Sequence, residues 1–388
     1  MDTNDYIGSF AQENVIFRTQ IIRNVSVGDN FMKTCIFITD KNLTADGVAG
    51  LVAIPGSTYK ALTVTAEDFA SFTTGLLQSW LVDLYSNGAL FDTILVSLGA
   101  GTTVPTVDEL TAAYEAIKPY AYHKTVCIGA TDDAAPTTNA DLSTTLIAQL
   151  IELCTVDKEV LSSAELLPYN AATVPTGTGD DPIYSVAKNK FAFMSCHQDA
   201  TRNPALYSLG LALAQNNLSG TPVGNPMCRP SSNGITASGV NGTDLGRTIR
   251  SSLNSLGIQT FKYVGDNTGN VCAEGEKCMN GDIYAAQWIL AYVTYMVKVA
   301  VAKLITGSRD FYKTEASYTK ILEVLSRYLN LFGPRGSGRL ENIMITAPSF
   351  DNLPDSDADE LVIPGAWEAT YKGIVNKVTI TGTLYIEG

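Results

Sequence analysis

Alternating apolar and polar residues near the C-terminus predict a long β-strand. One register of this pattern carries the apolar side chains Ile374, Val378, Ile380, Leu384 and Ile386. The other register carries Lys377, Thr379, Thr381, Thr383 and Tyr385. One face of the strand is therefore expected in an apolar core. Because a strand presents main-chain N–H and C=O groups along its edges, it needs a pairing partner within the subunit or in another chain.

The N-terminal region repeats this pattern. Apolar residues again take alternate positions at Val15, Phe17, Ile21, Val25 and Val27. The polar residues before them, 1–14, contain too few apolar side chains to fold alone. We therefore predict two extended arms, at residues 1–22 and 371–388, on either side of a folded body.

Between the arms, strand patterns alternate with helix patterns. The predicted strands of this part lie at residues 93–98, 124–128, 191–196 and 258–264. Thr106 and Glu109 have the spacing of a capping box that opens a helix, and Thr243 is expected to cap another helix that Gly257 ends. This order predicts a mixed α/β (α+β) body over residues 23–264, in which a sheet with some parallel pairs carries helices on its faces.

The pattern changes at residue 265, where we predict a C-terminal lobe of helices and a strand that extends to residue 370. A turn-rich stretch that contains Cys272 and Cys278 is followed by a long helix from Gly281 and a second helix over residues 315–329. The apolar run over residues 283–305 is interrupted by polar and basic side chains, whereas a membrane span needs about 20 apolar residues. We therefore predict a buried or interface helix and no membrane partner.

The charge of the chain argues against one class of partner. The net charge of the 388 residues is −13, whereas a nucleic-acid-binding protein needs a surface with an excess of Lys and Arg. Residues 297–340 are the exception, since eight basic and three acidic side chains give this segment a charge of +5 and leave −18 for the rest of the chain. Its basic candidates for binding an acidic partner are Lys298, Lys303, Lys313, Lys320, Arg327, Arg335 and Arg339. A solvated helical face is the alternative interpretation.

No catalytic or cofactor-binding site stands out in the sequence. The stretch Leu98-Gly-Ala-Gly-Thr follows a predicted strand, but the third glycine of a dinucleotide-binding turn is missing. Ser195, His197 and Asp199 combine residue types of a catalytic triad, yet neighbours along one strand cannot converge on one another. The sequence therefore gives only weak evidence for catalysis or for cofactor binding.

The cysteines do not indicate a metal site. Seven cysteines are scattered through the chain, which is typical of buried thiols in a reducing cytoplasm. Cys272 and Cys278 are separated by five residues, which is not the spacing of a zinc site, and no second pair follows. Structural thiols or a local disulfide are the two interpretations of this pair.

The C-terminal half of the chain resembles the tail sheath proteins of contractile bacteriophages and of related contractile injection systems. The resemblance lies in Gly281-Asp-Ile-Tyr-Ala-Ala-Gln-Trp-Ile at the start of a long helix, in the basic helix that ends at Leu329 and in the final strand from Tyr371. Ser255-Leu-Gly-Ile-Gln-Thr-Phe-Lys-Tyr is similar to the family's passage from a helix through Gly-Ile to a strand. The resemblance covers residues 200–388 and is one of element order.

This resemblance implies a structural role, with no enzymatic activity and no cofactor. Sheath subunits form hexameric rings that stack helically around an inner tube, and the arms of neighbouring subunits complete a sheet on a third. The implied partners are other copies of this chain, the tube protein, and baseplate and tail terminator proteins. The implied location is the virion, after assembly in the host cytoplasm, and the basic segment from Lys298 to Arg339 would face the tube. The alternatives are a soluble α/β enzyme that binds a nucleotide cofactor and a non-contractile virion structural protein.

Overall fold

A computed structural model describes most of the chain between residues 33 and 372. The described residues are 33–38, 50–65, 81–86, 92–98, 105–118, 120–121, 123–127, 144–157, 174, 182–190, 192–198, 203–218, 230–231, 235–264, 267–275, 277–307, 311–354 and 361–372. The N-terminal arm and residues 373–388 of the C-terminal arm lie outside them. The fold is a mixed α/β arrangement, as predicted, with three sheets in the described part.

The first sheet contains the parallel strand pairs that the sequence predicts. Its strands are β1 (Thr34–Ile38), β2 (Val52–Ala53), β3 (Lys60–Val64), β4 (Thr93–Ser97) and β5 (His123–Cys127). They lie in the order β2-β3-β4-β1-β5. The central strand β1 is parallel to both β4 and β5, while β3 is antiparallel to β4.

Both faces of this sheet are buried. Cys35 and Phe37 of β1 contribute to an apolar cluster with the helices α1 (Val107–Ile117) and α2 (Thr144–Asp157). Ile36 of β1 and Leu95 of β4 contribute to a second and larger cluster. Burial on both faces explains why β1 and β4 have nearly continuous apolar sequences.

Helix α1 begins at the capping box that the sequence predicts. The Glu109 N–H donates to Thr106 Oγ1 at 3.2 Å, and the Thr106 N–H donates to Glu109 Oε2 at 2.7 Å. Two N–H groups at the helix start, which have no partner within the helix, are satisfied by these side chains.

The second sheet follows along the chain. Its region contains α3 (Pro182–Ala187), β6 (Met194–Ser195), α4 (Pro204–Leu218), β7 (Pro230–Ser231), a 3₁₀ turn (Val240–Gly242), α5 (Arg247–Ser255), β8 (Ile258–Val264) and β9 (Asn267–Glu274). The strand order is β6-β8-β9-β7, with β6 parallel to β8 and the other pairs antiparallel. The prediction of β8 is confirmed to the residue, whereas β6 is shorter than predicted.

Two sequence predictions in this region are wrong. Helix α5 begins after Gly246, while the Thr243 hydroxyl, predicted to cap it, donates to Val240 O at 2.8 Å and closes the 3₁₀ turn. Cys272 lies in β9 and not in a turn, because residues 267–274 pair with β8. Gly257 follows α5 as predicted and has φ +85°, a conformation that side chains rarely adopt.

The C-terminal region contains two helices and a third sheet. Its elements are α6 (Tyr284–Gly307), α7 (Glu315–Asn330), β10 (Leu340–Ile345), a 3₁₀ turn (Phe350–Asn352) and β11 (Trp367–Tyr371). The bounds of α7 confirm the prediction within one residue, and the Ser317 N–H donates to Thr314 Oγ1 at its start.

Helix α6 is the central element of the larger apolar cluster. Trp288 is fully buried and stacks on Tyr292 at a centroid separation of 5.5 Å, and Tyr292 meets Phe332 edge to face. Among the described residues, α6 is the one helix long and apolar enough to span a membrane, and half of its most apolar window is buried. The contacts of α6 therefore fit the predicted buried helix.

The predicted division of the chain at residues 264 and 265 falls within a strand pair. β8 ends at Val264, β9 begins at Asn267, and the two strands are antiparallel neighbours. The larger apolar cluster includes side chains from β1, β4, α4, α6 and α7. The four-part division of the chain remains a prediction.

Candidate assembly surface

The third sheet consists of β10 and β11 and leads directly to the predicted C-terminal arm. The two strands are antiparallel, with Leu340 opposite Tyr371 and Ile345 opposite Trp367. Lys372 extends the ladder, because its N–H donates to Arg339 O at 2.8 Å. The first residue of the arm beyond the described part is residue 373.

β10 contains a bulge. The register shifts between Glu341 and Met344, so β10 has one residue more than the facing part of β11. Asn342 lies in this bulge with φ 52°, and its Nδ2 lies 3.4 Å from Thr370 Oγ1. The left-handed conformation suits asparagine better than most residues.

The apolar face of this sheet is only half covered. Trp367, Ala369 and Tyr371 project towards the larger apolar cluster but remain partly exposed. Ile345 of β10, which lies opposite Trp367 on the same face, is 38% exposed. A two-stranded sheet is only marginally stable alone in water. Pairing with further strands would therefore stabilise this sheet and bury more of its apolar face.

The turn after α7 holds β10 in place. The Leu340 N–H donates to Phe332 O at 2.7 Å, and the Ser337 N–H donates to Leu331 O at 2.8 Å. A Cβ atom at Gly336 would lie 2.0 Å from Leu331 O, so this position excludes side chains. The beginning of β10 is therefore joined firmly to the end of α7.

The residues predicted to form inter-subunit arms are not among those that the structure describes. They are Val15, Phe17, Ile21, Val25, Ile374, Val378, Ile380, Leu384 and Ile386. Lys372 is the last described residue of the C-terminal arm, and its Nζ lies 3.0 Å from Glu341 Oε2 on the neighbouring strand. The strand role of the arms remains a prediction.

One of the predicted tube-facing residues is buried. Lys298 lies in the middle of α6 with 2% of its surface exposed. Its neighbours Val297 and Val301 on α6 belong to the larger apolar cluster. Lys298 therefore cannot contact a partner in this conformation, and the prediction of a tube-facing role for it is corrected. Local sequence did not reveal this, because burial of α6 is set by the elements around it.

The other basic candidates are exposed or partly exposed. They are Lys303, Lys313, Lys320, Arg327, Arg335 and Arg339. On α7, the exposed face also carries Glu315 and Glu323, so Lys320 and Arg327 are balanced by an equal number of acidic side chains. Arg335 and Arg339 instead lie in the turn before β10, which contains no acidic residue. Of these candidates, Arg335 and Arg339 are therefore the two that lie beside the third sheet.

Ser195 and His197 have separate structural partners. Ser195 Oγ donates to Gln259 Oε1 at 3.2 Å, which joins β6 to β8. His197 Nε2 lies 3.1 Å from Thr236 O. Both side chains are fully buried. The structure does not bring Ser195 and His197 together as a nucleophile and its base.

The cysteine pair is not bonded. No disulfide joins Cys272 to Cys278, and burial raises the pKa of each thiol. Among the described residues, no group of three His, Cys, Asp or Glu side chains is arranged to hold a metal ion. Residues 99–102 of the glycine-containing turn after β4 lie outside the described part.

The sequence predicted a strand in the C-terminal lobe but did not locate either strand of the third sheet. In β10, the bulge interrupts the alternation expected of a strand, so that the inner apolar residues Leu340, Ile343 and Ile345 are unevenly spaced. In β11, Trp367, Ala369 and Tyr371 do alternate with polar residues. That five-residue alternation, directly before the predicted arm, is the signal that would have revealed β11.

Comparisons with known proteins identify a similar fold. No protein-family model matches the chain, and none of the curated proteins matches it. A match among solved structures is a chain of the cryo-EM structure of the anti-feeding prophage (AFP) baseplate, 6-fold symmetrised. It covers 95% of this chain and 98% of that chain, with a TM-score of 0.59 and 11% sequence identity. Because the sequence identity is 11%, this similarity is evidence about the fold alone.

Proposed function

We propose that this protein is a structural subunit of a contractile tail sheath, which forms stacked hexameric rings around an inner tube and drives the tube through the host envelope on contraction. The observation that carries the proposal is the half-covered, two-stranded sheet, from which the chain continues into a strand-like arm. The similarity in fold to a chain of the AFP baseplate supports a place in a phage-like assembly.

The third sheet has the properties of an acceptor for strands from other copies. Main-chain hydrogen bonds to an open strand edge join two subunits without a specific side-chain surface. The partly exposed side chains Trp367 and Tyr371 would become buried when the sheet is extended. An arm that pairs with a neighbour also allows the bodies to move relative to one another during contraction, because the connecting residues can bend.

The proposed sheath role also implies which other proteins this protein contacts. Two basic side chains, Arg335 and Arg339, lie near the third sheet of this acidic chain, which suits contact with an acidic inner tube. Baseplate and tail terminator proteins would contact the two ends of the assembly. The protein would act without enzymatic activity, and its location would be the virion tail.

Deletion of residues 373–388 tests the proposal. This change leaves Lys372 and its contacts to Arg339 and Glu341 intact. We expect a folded monomer that no longer forms tubes, because the strand that joins neighbouring copies is absent. Circular dichroism reports the fold, and negative-stain electron microscopy reports the tubes. Full-length protein should form tubes of two different pitches and diameters, which distinguishes a contractile sheath from a non-contractile structural protein.

A pair of matched variants controls for the removal of the C-terminus. Val378→Asp with Ile380→Asp places charges in the apolar register and should abolish tubes. Thr379→Asp with Thr381→Asp places the same charges in the polar register and should retain them. Normal tubes from the deletion variant would contradict the proposed role of the arm.

A further inference from the structure

Two Asn-Gly pairs lie in the described part of the chain, one at Asn241 and one at Asn280. In such a pair the main-chain nitrogen of the glycine can attack the side-chain carbonyl carbon of the asparagine, because glycine has no side chain to block the approach. A succinimide ring forms and ammonia leaves. The surroundings of each asparagine decide how readily this reaction occurs.

Asn280 lies in the exposed turn between β9 and α6, where its side-chain carbonyl group is polarised. The Asp282 N–H donates to Asn280 Oδ1 at 3.1 Å. Attack on the carbonyl carbon places negative charge on this oxygen, and a main-chain N–H that already points at the oxygen stabilises such a charge. The contact with Asp282 therefore lowers the barrier to ring formation.

The leaving group of Asn280 also has a partner. Asn280 Nδ2 donates to Asp282 Oδ2 at 2.8 Å, and Gln287 Nε2 donates to the same oxygen at 3.0 Å. The Asp282 carboxylate is thus held beside the nitrogen that leaves as ammonia. In this position it can transfer to the leaving nitrogen the proton that the attacking nitrogen loses.

The space around the glycine distinguishes the two pairs. Gly281 is exposed, and a Cβ atom on it would meet no other atom within 4 Å. Gly242 is buried, and a Cβ atom on it would lie 2.9 Å from the Cβ atom of Thr236. The glycine N–H groups are otherwise alike, since Gly281 donates to Cys278 O at 2.8 Å and Gly242 donates to a turn carbonyl oxygen at 3.0 Å. The open surroundings of Gly281 therefore favour reaction at Asn280.

We propose that Asn280 is a site of spontaneous deamidation, assisted by Asp282, which produces aspartate or isoaspartate at the entrance to α6. The nitrogen of Gly281 bonds to the Asn280 side-chain carbonyl carbon and loses its proton, and the bond from that carbon to Nδ2 breaks as ammonia leaves. Water then opens the succinimide ring at either carbonyl group and gives aspartate or isoaspartate. The reaction needs water and no second copy of the chain, so it is independent of the proposed function.

Both products change the start of α6. Aspartate places a second carboxylate beside Asp282, at the position from which the Asn280 amide donates a hydrogen bond. Isoaspartate also lengthens the main chain within the turn that the bond from the Cys278 N–H to Asp282 O closes at 2.7 Å. Because side chains of α6 contribute much of the larger apolar cluster, we expect deamidation to lower the stability of the fold.

Incubation of the full-length protein at mildly alkaline pH tests the proposal. Samples taken over several weeks are digested, and mass spectrometry measures the conversion at Asn241 and at Asn280. An isoaspartate-specific methyltransferase labels the peptides that contain isoaspartate. We expect conversion at Asn280 to be several-fold faster than at Asn241, with isoaspartate in the Asn280 peptide. Equal rates, faster conversion at Asn241, or no conversion at Asn280 would each overturn the proposal.

A substitution of Asp282 tests its assisting role. Asp282→Asn keeps the size of the side chain and the main-chain N–H but removes the carboxylate, so conversion at Asn280 should become several-fold slower. Asp244→Asn is the matched control, because Asp244 Oδ1 accepts the Tyr263 N–H at 2.9 Å and lies beside the other pair. It should leave the rate at Asn280 unchanged. The same rate at Asn280 in both variants, in protein that melts at the temperature of the unsubstituted chain, would overturn the proposal.

The effect on the fold is measured with the aspartate product itself. Asn280→Asp should lower the melting temperature, because it places two carboxylates together at the start of α6. Asn241→Asp is the comparison and should lower it less, because Asn241 is exposed at the tip of a 3₁₀ turn. An equal or smaller loss for Asn280→Asp would overturn the proposed effect of deamidation on α6.

Discussion

At the residue scale, a buried hydrogen-bond network connects β6, α4 and β8. Gln259 Oε1 accepts hydrogen bonds from the hydroxyls of Ser195, at 3.2 Å, and Ser208. Its Nε2 donates to Gly275 O at 3.2 Å. We expect Gln259→Leu to lower the free energy of unfolding by about 2–4 kcal/mol, because it leaves buried polar groups without their partner. Urea denaturation measures this change.

The control for this prediction is the substitution of a glutamine at the surface. Gln287 Nε2 donates to Asp282 Oδ2 at 3.0 Å, in an exposed hydrogen bond. Water can replace this partner, so Gln287→Leu should lower the free energy of unfolding by less than about 1 kcal/mol. Equal losses for the two variants would contradict a structural role for the buried network.

A buried tyrosine makes stability dependent on alkaline pH. The Tyr85 hydroxyl donates to Val64 O at 3.0 Å and lies 2.7 Å from Thr93 Oγ1. Burial raises the pKa of Tyr85 from 10.0 to about 12, although the hydrogen bond with Thr93 acts in the opposite direction. The folded state therefore favours the neutral form, and this stabilisation is complete below pH 10 and lost as the pH rises through about 12.

Tyr85→Phe tests this dependence. At neutral pH the variant should be less stable than the unsubstituted chain, because two hydrogen bonds are absent. Between pH 10 and 12, however, its free energy of unfolding should fall by less than that of the unsubstituted chain. The difference in the free energy of unfolding over this interval should be about 2–3 kcal/mol. Denaturation at a series of pH values measures it. An identical decline in both proteins would show that Tyr85 is not responsible.

At the scale of the element, the start of α1 depends on two side chains. Thr106→Ala removes the hydroxyl that accepts the Glu109 N–H. We expect the free energy of unfolding to fall by about 1 kcal/mol, the typical value of an N-cap residue. Thr319→Ala is the control, because Thr319 lies on the exposed face of α7 and alanine favours a helix interior. The melting temperature should fall for the first variant only.

At the scale of the whole molecule, charge is distributed unevenly between α7 and the turn that follows it. Neutralising Arg335 and Arg339 (Arg335→Gln with Arg339→Gln) should weaken the binding of assembled protein to its tube and reduce the effect of added salt on that binding. Co-sedimentation at increasing salt measures both. Lys320→Gln with Arg327→Gln is the comparison, in which Glu315 and Glu323 lose their balancing charges. Unchanged binding and salt dependence in the first variant would contradict a role for this turn in gripping the tube.

The sequence by itself determined the elements whose signals are local. Thr106 and Glu109 lie within one helical turn, so their capping box can be read directly and is confirmed. The bounds of α7 and β8 follow from periodicity within a single element, and both are confirmed. The alternation of strands and helices was sufficient to predict the mixed α/β fold and its parallel pairs.

Only the tertiary structure decided the features that depend on distant parts of the chain. The burial of Lys298, the place of Cys272 in β9 and the pairing of β10 with β11 all depend on which elements become neighbours. The bulge at Asn342 obscured β10, because an extra residue breaks the alternation by which a strand is recognised. Short-range hydrogen bonds and periodicity are properties of neighbouring residues, whereas burial and strand pairing arise only when residues far apart in the sequence pack together.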